Sequence, residues 1–252
     1  MWIVANGALK SGSTWIFQLL ATAAETSRPP NKFQEPGWQN ASVARGQVNQ
    51  AAAFIGPAPA IYVTKQHWAR ENSYLLGKEG VKVINIVRDM RDVVVSRYHH
   101  DVRAFGFTGG MDVFLHKRME DMVAENVHYH SYWINSNYAN KDTYYVTSYE
   151  YLLDEYEKAA TALFDFCDFG ISPKSFQKTL DANLFANKPK TGDGEFFRKG
   201  KAGTFSDDLT PEQSALILDY ARNLGFGEVK RKIAAFNPAL APYLAQTDLG
   251  LE

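Results

Sequence analysis

The sequence predicts an α/β domain of three layers, a central parallel sheet flanked by helices, and three observations carry that reading. Short apolar runs alternate with stretches of helical periodicity, the pattern of successive strand and helix units. The run from Val81 to Val87 is mostly apolar, as a central strand covered on both faces must be. A glycine-bearing stretch, ANGALKSGSTWIFQLL at residues 5–20, joins the first strand pattern to the first helical one.

Taken in order, Trp2 to Ala5 reads as a strand. Thr14 to Ala24 reads as a helix, because Trp15, Ile16, Leu19, Leu20 and Ala23 fall on one face. Ile61 to Thr64 and Val81 to Val87 are two further strands, and Met90 to His100 turns helical. Met111 to Asn137 carries a long helical pattern, Thr143 to Thr147 a fourth strand, and Tyr151 to Asp168 a helix closed by Gly170. Ser172-Pro173 opens a short helix with serine as cap and proline in the first turn. Asn187 to Ser206 is a loop rich in Gly, Lys and Phe. Thr210-Pro211-Glu212-Gln213 starts the last clear helix with capping-box spacing, and Gly225 ends it. Without repeat, linker or low-complexity tract, residues 1–252 are expected to form one domain.

Composition narrows the function. Apolar residues make up 45% and charged residues 22% of the 252, ordinary globular values. The net charge of −1 argues against a general nucleic-acid binder, so any anion site must be a local cluster of Lys and Arg. One cysteine, Cys167, allows no internal disulfide. No apolar run reaches the roughly 18 residues of a membrane span. The chain opens on a strand pattern, with neither a basic n-region nor a small-residue cleavage site. A protein of a reducing compartment is expected, with cytoplasmic localisation and neither membrane nor nucleic-acid partner.

The stretch at residues 5–20 nearly spells the triphosphate loop G-x-x-x-x-G-K-[ST]. Gly7, Gly12 and Thr14 have the spacing, yet Ser13 stands where the lysine belongs, and the lysine is at position 10. Strand, loop and helix start are the context in which backbone N–H groups and the positive helix end face an anion. The same loop also serves as a tight turn with no ligand. Three more stretches lie at predicted strand ends, where open α/β sheets place ligands: TKQHW at 64–68, VRDMRDVVVSRYHH at 87–100 and SYE at 148–150. Lys10 and Arg88, at two different strand ends, suit a ligand with two separated phosphate groups.

On these residues the chain resembles the cytosolic-type sulfotransferases, whose fold is P-loop-like. KSGSTW at 10–15 is similar to their 5′-phosphosulfate loop, Arg88 with Ser96 to their 3′-phosphate motif, and FRKGKAG at 197–203 to their third signature, RKG-x-x-G. The resemblance implies 3′-phosphoadenosine 5′-phosphosulfate (PAPS) as donor, 3′-phosphoadenosine 5′-phosphate (PAP) as product, no metal, and a small-molecule hydroxyl as acceptor. It places Lys10, Ser11, Gly12, Ser13 and Thr14 around the 5′ end, and Arg88, Ser96, Arg198, Lys199 and Gly200 on the 3′-phosphate. Trp15, Tyr149 and Phe197 border the adenine. His67 takes the position of the catalytic base, with Lys10 and Lys65 on the leaving phosphate. Two departures stand out: Gly203-Thr204-Phe205 replaces a GDW-like run, and Ser13 replaces threonine.

Alternatives accompany this reading. Glu35, in NKFQEPGW, is a rival base. A kinase or other nucleotide hydrolase of the same architecture is the rival function, with Asp89 the nearest Mg²⁺-holding carboxylate. A third class is a nucleotide-binding module without catalysis. His128, His130, His99 and His100 lack metal spacing and read as surface or substrate-side groups, with His99 or His100 in reach of the acceptor. Arg91 reads as a solvated helix residue. Segments Pro29 to Gly56 and Ala104 to Met111, with Phe33, Trp38, Phe54, Phe105 and Phe107, read as loops shaping the acceptor pocket.

Overall fold

Four strands pair in parallel in the order β2-β1-β3-β4, with β1 Trp2–Gly7, β2 Tyr62–Gln66, β3 Val81–Val87 and β4 Tyr144–Ser148. The structure, a computed structural model, describes residues 1–26, 61–67, 76–136, 139–184 and 200–245. The registers Asn6↔Gln66, Gly7↔Ile86 and Val87↔Ser148 align the C-terminal ends of all four strands along one edge. Every residue of β1 is buried, because a strand flanked on both edges and covered on both faces has no wet side.

Helices cover both faces. On one lie α1 Ser13–Thr26, α5 Tyr156–Phe166 and α6 Pro173–Asn183; Lys82 reaches across from β3 to the Phe166 carbonyl and the Asp168 carboxylate. On the other lie α2 Met90–Phe105, α3 Gly110–Ile134, α7 Pro211–Asn223 and α8 Phe226–Phe236. There Trp133 stacks on Tyr144, Phe236 meets the same ring edge-on, and Tyr129 donates to Asn85. Two short helices, α4 Tyr149–Asp154 and α9 Ala241–Ala245, complete the set among the described residues. None of the helices there is long and apolar enough to cross a membrane.

Several local expectations hold. Ser172 caps α6, Thr210 and Gln213 form a reciprocal capping box, and Gly225 takes φ 83° past the end of α7. Others need correction. The expected helix from Tyr151 to Asp168 is two helices: the first starts early, where Ser148 accepts from the Tyr151 amide, and Glu155, at φ −117° and ψ 47°, separates it from the second. Asp168 at φ 54°, not Gly170, takes the left-handed turn behind α5. The helix at Thr210 is not the last. Phe226, Val229, Lys230 and Ile233 are the buried stripe of α8, a clear helical spacing that Gly225 starts as well as stops. In α2 the helix continues through Phe105 and ends on Gly106 at φ 65°.

Candidate active site

The loop after β1 turns on two residues in the left-handed region, Lys10 at φ 70° and Gly12 at φ 109°. Ser11 closes it by donating both its amide and its hydroxyl to the Ala8 carbonyl, at 3.2 and 2.7 Å. Two positions admit no side chain. A Cβ on Gly7 would stand 2.7 Å from Ser11 Oγ, and one on Gly12 would stand 2.8 Å from Tyr149 Cδ2. The Trp15 amide is the first to bond back, to Gly12 O at 2.9 Å, so the amides of Ser13 and Thr14 sit at the positive end of α1.

Parallel pairing brings the other tips to this loop. Lys65, whose strand reaches Gln66 rather than stopping at Thr64, donates to Thr14 Oγ1 at 3.3 Å. One residue past that strand, His67 Nδ1 lies 2.7 Å from Gly7 O. A carbonyl only accepts, so Nδ1 carries the hydrogen and Nε2 keeps its lone pair. Burial lowers the His67 pKa, opposed by the Gly7 bond and aided by the Lys65 and Lys10 charges. The imidazole is therefore neutral at pH 7.

From β3, Arg88 donates to the Lys10 carbonyl at 3.3 Å, and its guanidinium lies 4.1 Å from the centre of the Tyr149 ring, the first residue past β4. Among the described residues its buried Nε has no hydrogen-bond partner. Desolvation, with Arg103, Arg88, Arg97 and Lys65 nearby, pushes the Lys10 pKa down to about 8. The Lys10 and Arg88 charges thus lie close enough to act on one another.

Asp92, in the first turn of α2, is a residue of this site that was not among those expected. Its carboxylate accepts from the Gly203 amide at 2.9 Å, the Phe205 amide at 3.0 Å and Thr204 Oγ1 at 3.4 Å, with Arg88 Nη2 at 3.9 Å. Burial raises its pKa, opposed by Arg88 and the Gly203 amide. It pins the end of the third signature to the helix that begins just after Arg88. The Gly203-Thr204-Phe205 departure therefore does not leave that end loose: Thr204–Asp207 forms a 3-10 turn on Asp92. A carboxylate four residues after Arg88 is the signal that was there to be read. Beneath them Glu150 accepts from the Asp89 amide at 2.9 Å, and burial pushes its carboxyl up to about 7.

The remaining candidates fall as follows. Trp15 is 3% exposed, stacks on Tyr156 and donates to Asn183 O at 2.9 Å. Ser96 lies half-buried on α2, eight residues beyond Arg88, and Gly200 takes φ 61°. Phe197, Arg198, Lys199 and Glu35 lie outside the described residues, as does the whole Pro29 to Gly56 segment. Arg91 is not solvated: it grips both Asp89 oxygens, at 3.1 and 2.7 Å, and covers the Phe205 ring at 3.9 Å. That pairing occupies the carboxylate a metal-dependent reading would need at Asp89. His130 is not a surface group. It is buried beside Phe226 and Tyr129, and desolvation drives its pKa down to about 4. His99 bonds Asp208 at 2.8 Å.

The fold has solved counterparts. Mouse sulfotransferase SULT7A1, crystallised with PAP, superposes with a TM-score of 0.67 at 18% identity, over 97% of this chain and 88% of that one. Retinol dehydratase, in complex with androsterone and PAP, gives 0.63 at 16% identity, over 88% and 80%. A sulfotransferase from Alicyclobacillus acidocaldarius gives 0.50 at 16% identity, over 92% and 94%. No curated protein matches the sequence significantly. A family model described as "Sulfotransferase domain" matches residues 2–230, and the chain with this loop, these paired strand-tip cations and this imidazole belongs to the sulfotransferase family.

Proposed function

We propose that the chain transfers a sulfuryl group from PAPS to a hydroxyl of a small molecule, as a single domain over residues 1–252 working in the cytoplasm. The observation that carries this is the pair of cationic centres on one sheet edge, Lys10 with Lys65 and Arg88, whose Nε has no partner among the described residues, beside an imidazole whose Nε2 keeps its lone pair. PAPS has a 5′-phosphosulfate and a 3′-phosphate, and so two anionic ends. Lys10, the Gly12 amide and the amides and hydroxyls of Ser13 and Thr14 take the first, while Ser11, whose amide and hydroxyl both bond the Ala8 carbonyl, shapes the loop around it. Arg88, Ser96 and Arg198-Lys199-Gly200 take the second, with Trp15, Tyr149 and Phe197 around the adenine.

In the step itself, the acceptor oxygen attacks sulfur as His67 Nε2 removes its proton. The bond from sulfur to the bridging oxygen breaks, and PAP leaves with the electron pair. Lys10 and Lys65 stabilise the charge that grows on that oxygen. A triphosphate loop relies on Mg²⁺ and on a lysine inside the helix start. A lysine three residues earlier reaches the bridging oxygen of a phosphosulfate, which is why position 10 discriminates between the two readings.

Thermal melting tests the donor: PAP should raise the midpoint and Mg·ATP should not, with about 2.7 kcal/mol gained at a hundredfold excess over Kd. A shift with Mg·ATP alone overturns the reading in favour of a kinase or hydrolase. His67→Ala tests the base. It should cost roughly 10²- to 10⁴-fold in rate with PAP affinity retained. Because the His67 pKa is lowered, the acid limb of kcat/KM in the wild type should fall below the ordinary imidazole value of 6.5. Undiminished turnover in His67→Ala would move the role elsewhere, Glu35 first. Mass spectrometry across phenols, alcohols, amines and sugars reads the acceptor class and separates a catalyst from a module that only binds.

A further inference from the structure

Helix α2 leaves the donor region and carries cations outward beyond what two phosphates need. On α2, Asp92, Ser96 and His100 recur at four-residue intervals, with Arg103 three further on, so they follow one side of the helix, and Arg88 stands just before its start at the tip of β3. Exposure grows along that stripe: the Asp92 side chain is wholly buried, Ser96 and His100 are half-buried, and Arg103 is exposed. The stripe thus begins at the phosphate site and surfaces at Arg103.

Charge compensation along this rim is uneven. Arg97 is answered by Asp101, with Nε donating at 2.7 Å. Arg103 has a different neighbour, His100 Nδ1 at 3.4 Å from its Nη2. A guanidinium only donates, so that imidazole accepts and is neutral. Desolvation and the Lys10, Arg97 and Arg103 charges all hold the His100 pKa down. Among the described residues no carboxylate bonds Arg103. Beside it Phe105 is 70% exposed and meets the His100 ring edge-on at 5.5 Å, an apolar wall left open next to an uncompensated cation.

We propose that the acceptor carries an anionic group besides its hydroxyl, and that this group docks on Arg103 and His100 while its apolar body lies against Phe105. This rests on the sulfuryl-transfer reading for the identity of the site, and it adds the charge of the substrate. The ammonium of Lys10 and the rim beside it form one positive field, of which the donor engages only the inner part. An acceptor with a carboxylate, phosphate or sulfate at its far end completes the compensation and is oriented with its hydroxyl inward. The competing explanation is that Arg103 merely complements the negative end of α2, since it lies in the last turn.

A matched pair of probes decides between them: 4-hydroxyphenylacetate and its methyl ester, titrated calorimetrically into the wild-type protein and Arg103→Gln, each with and without PAP. The wild type should bind the carboxylate at least about tenfold more tightly than the ester, as a charge-assisted contact to a guanidinium predicts. In Arg103→Gln that ratio should collapse to within about threefold, while PAP affinity and the ester's affinity stay nearly unchanged. The ratio cancels effects common to both probes, including any loss of helix stability. The proposal is overturned if the ester binds as well as the carboxylate, if the carboxylate shows no binding at millimolar concentration, or if the ratio survives in Arg103→Gln. Failure of PAP to bind would instead strike the donor assignment, and the two outcomes are read in separate titrations.

Discussion

Replacing Asp92 by Ala removes the anchor that ties the segment from Gly203 to Phe205 to the helix that follows Arg88. Its side chain has no solvent exposure and holds two backbone amides at 2.9 and 3.0 Å. Hydrogen bonds to a charged acceptor contribute about 1.5–3 kcal/mol each, so the pair sets an upper limit of roughly 3–6 kcal/mol. Gly203 is exposed, however, so its amide can return to water if the segment lifts. The cost is then capped by the docking of the segment, about 2–3 kcal/mol. Loss of the carboxylate also frees Arg88 from a negative neighbour, which favours an anion; at 3.9 Å that contact is too long for a good hydrogen bond and should be the smaller effect. If the docked segment closes over the 3′-phosphate, PAP affinity should fall about 30- to 150-fold, at 1.4 kcal/mol per tenfold. Asp92→Asn keeps one acceptor and turns an NH₂ toward the other amide, so it should fall between. Calorimetric titration with PAP measures the affinity, and limited proteolysis around residues 200–208 reports the detachment. If Asp92→Ala binds PAP within twofold of wild type and is cut no faster, the anchor has no part in donor binding and the reasoning fails.

Two further substitutions probe the ground beneath the site. Glu150, with its carboxyl pushed up to about 7 from 4.5, favours the proton in the folded state. Its contribution to stability is therefore complete below pH 4.5 and is lost as pH rises through 7. Each pH unit is worth about 1.4 kcal/mol, and partial contact of the residue with solvent discounts the total to roughly 2 kcal/mol. Glu150→Gln retains the acceptor for the Asp89 amide, so it should match wild type in urea unfolding near pH 4.5 and exceed it by about 2 kcal/mol near pH 8. A difference that does not vary with pH would refute the assignment. Gly12→Ala sets a methyl 2.8 Å from Tyr149 Cδ2 at φ 109°. Backbone strain of about 1–3 kcal/mol, together with displacement of the ring that covers Arg88, should lower the melting midpoint and weaken PAP at least tenfold. A variant that melts and binds like wild type would show that the loop tolerates a side chain there.

What the sequence made legible is whatever a short stretch of chain determines by itself. The turn glycines, the cap residues and the tips of apolar strands are local, so Lys10, Arg88 and Tyr149 could be assigned to strand ends without knowing what lay beside them. Three features escaped because their partners are remote. Asp92 meets an amide 111 residues away, the His67 tautomer is fixed by a carbonyl 60 residues away, and Arg91 is held in part by the ring of Phe205. Sheet order converts the local features into a site. Because β1 lies between β2 and β3, the loop that follows it receives Lys65 and His67 from one neighbour and Arg88 from the other. The same residues on a sheet with β1 at its edge would leave the imidazole or the guanidinium without the loop that each bonds. The chemistry follows from the order of the strands as much as from the residues at their ends: the His67 lone pair and the Arg88 Nε, unpartnered among the described residues, are both oriented by carbonyls of one loop, at Gly7 and Lys10.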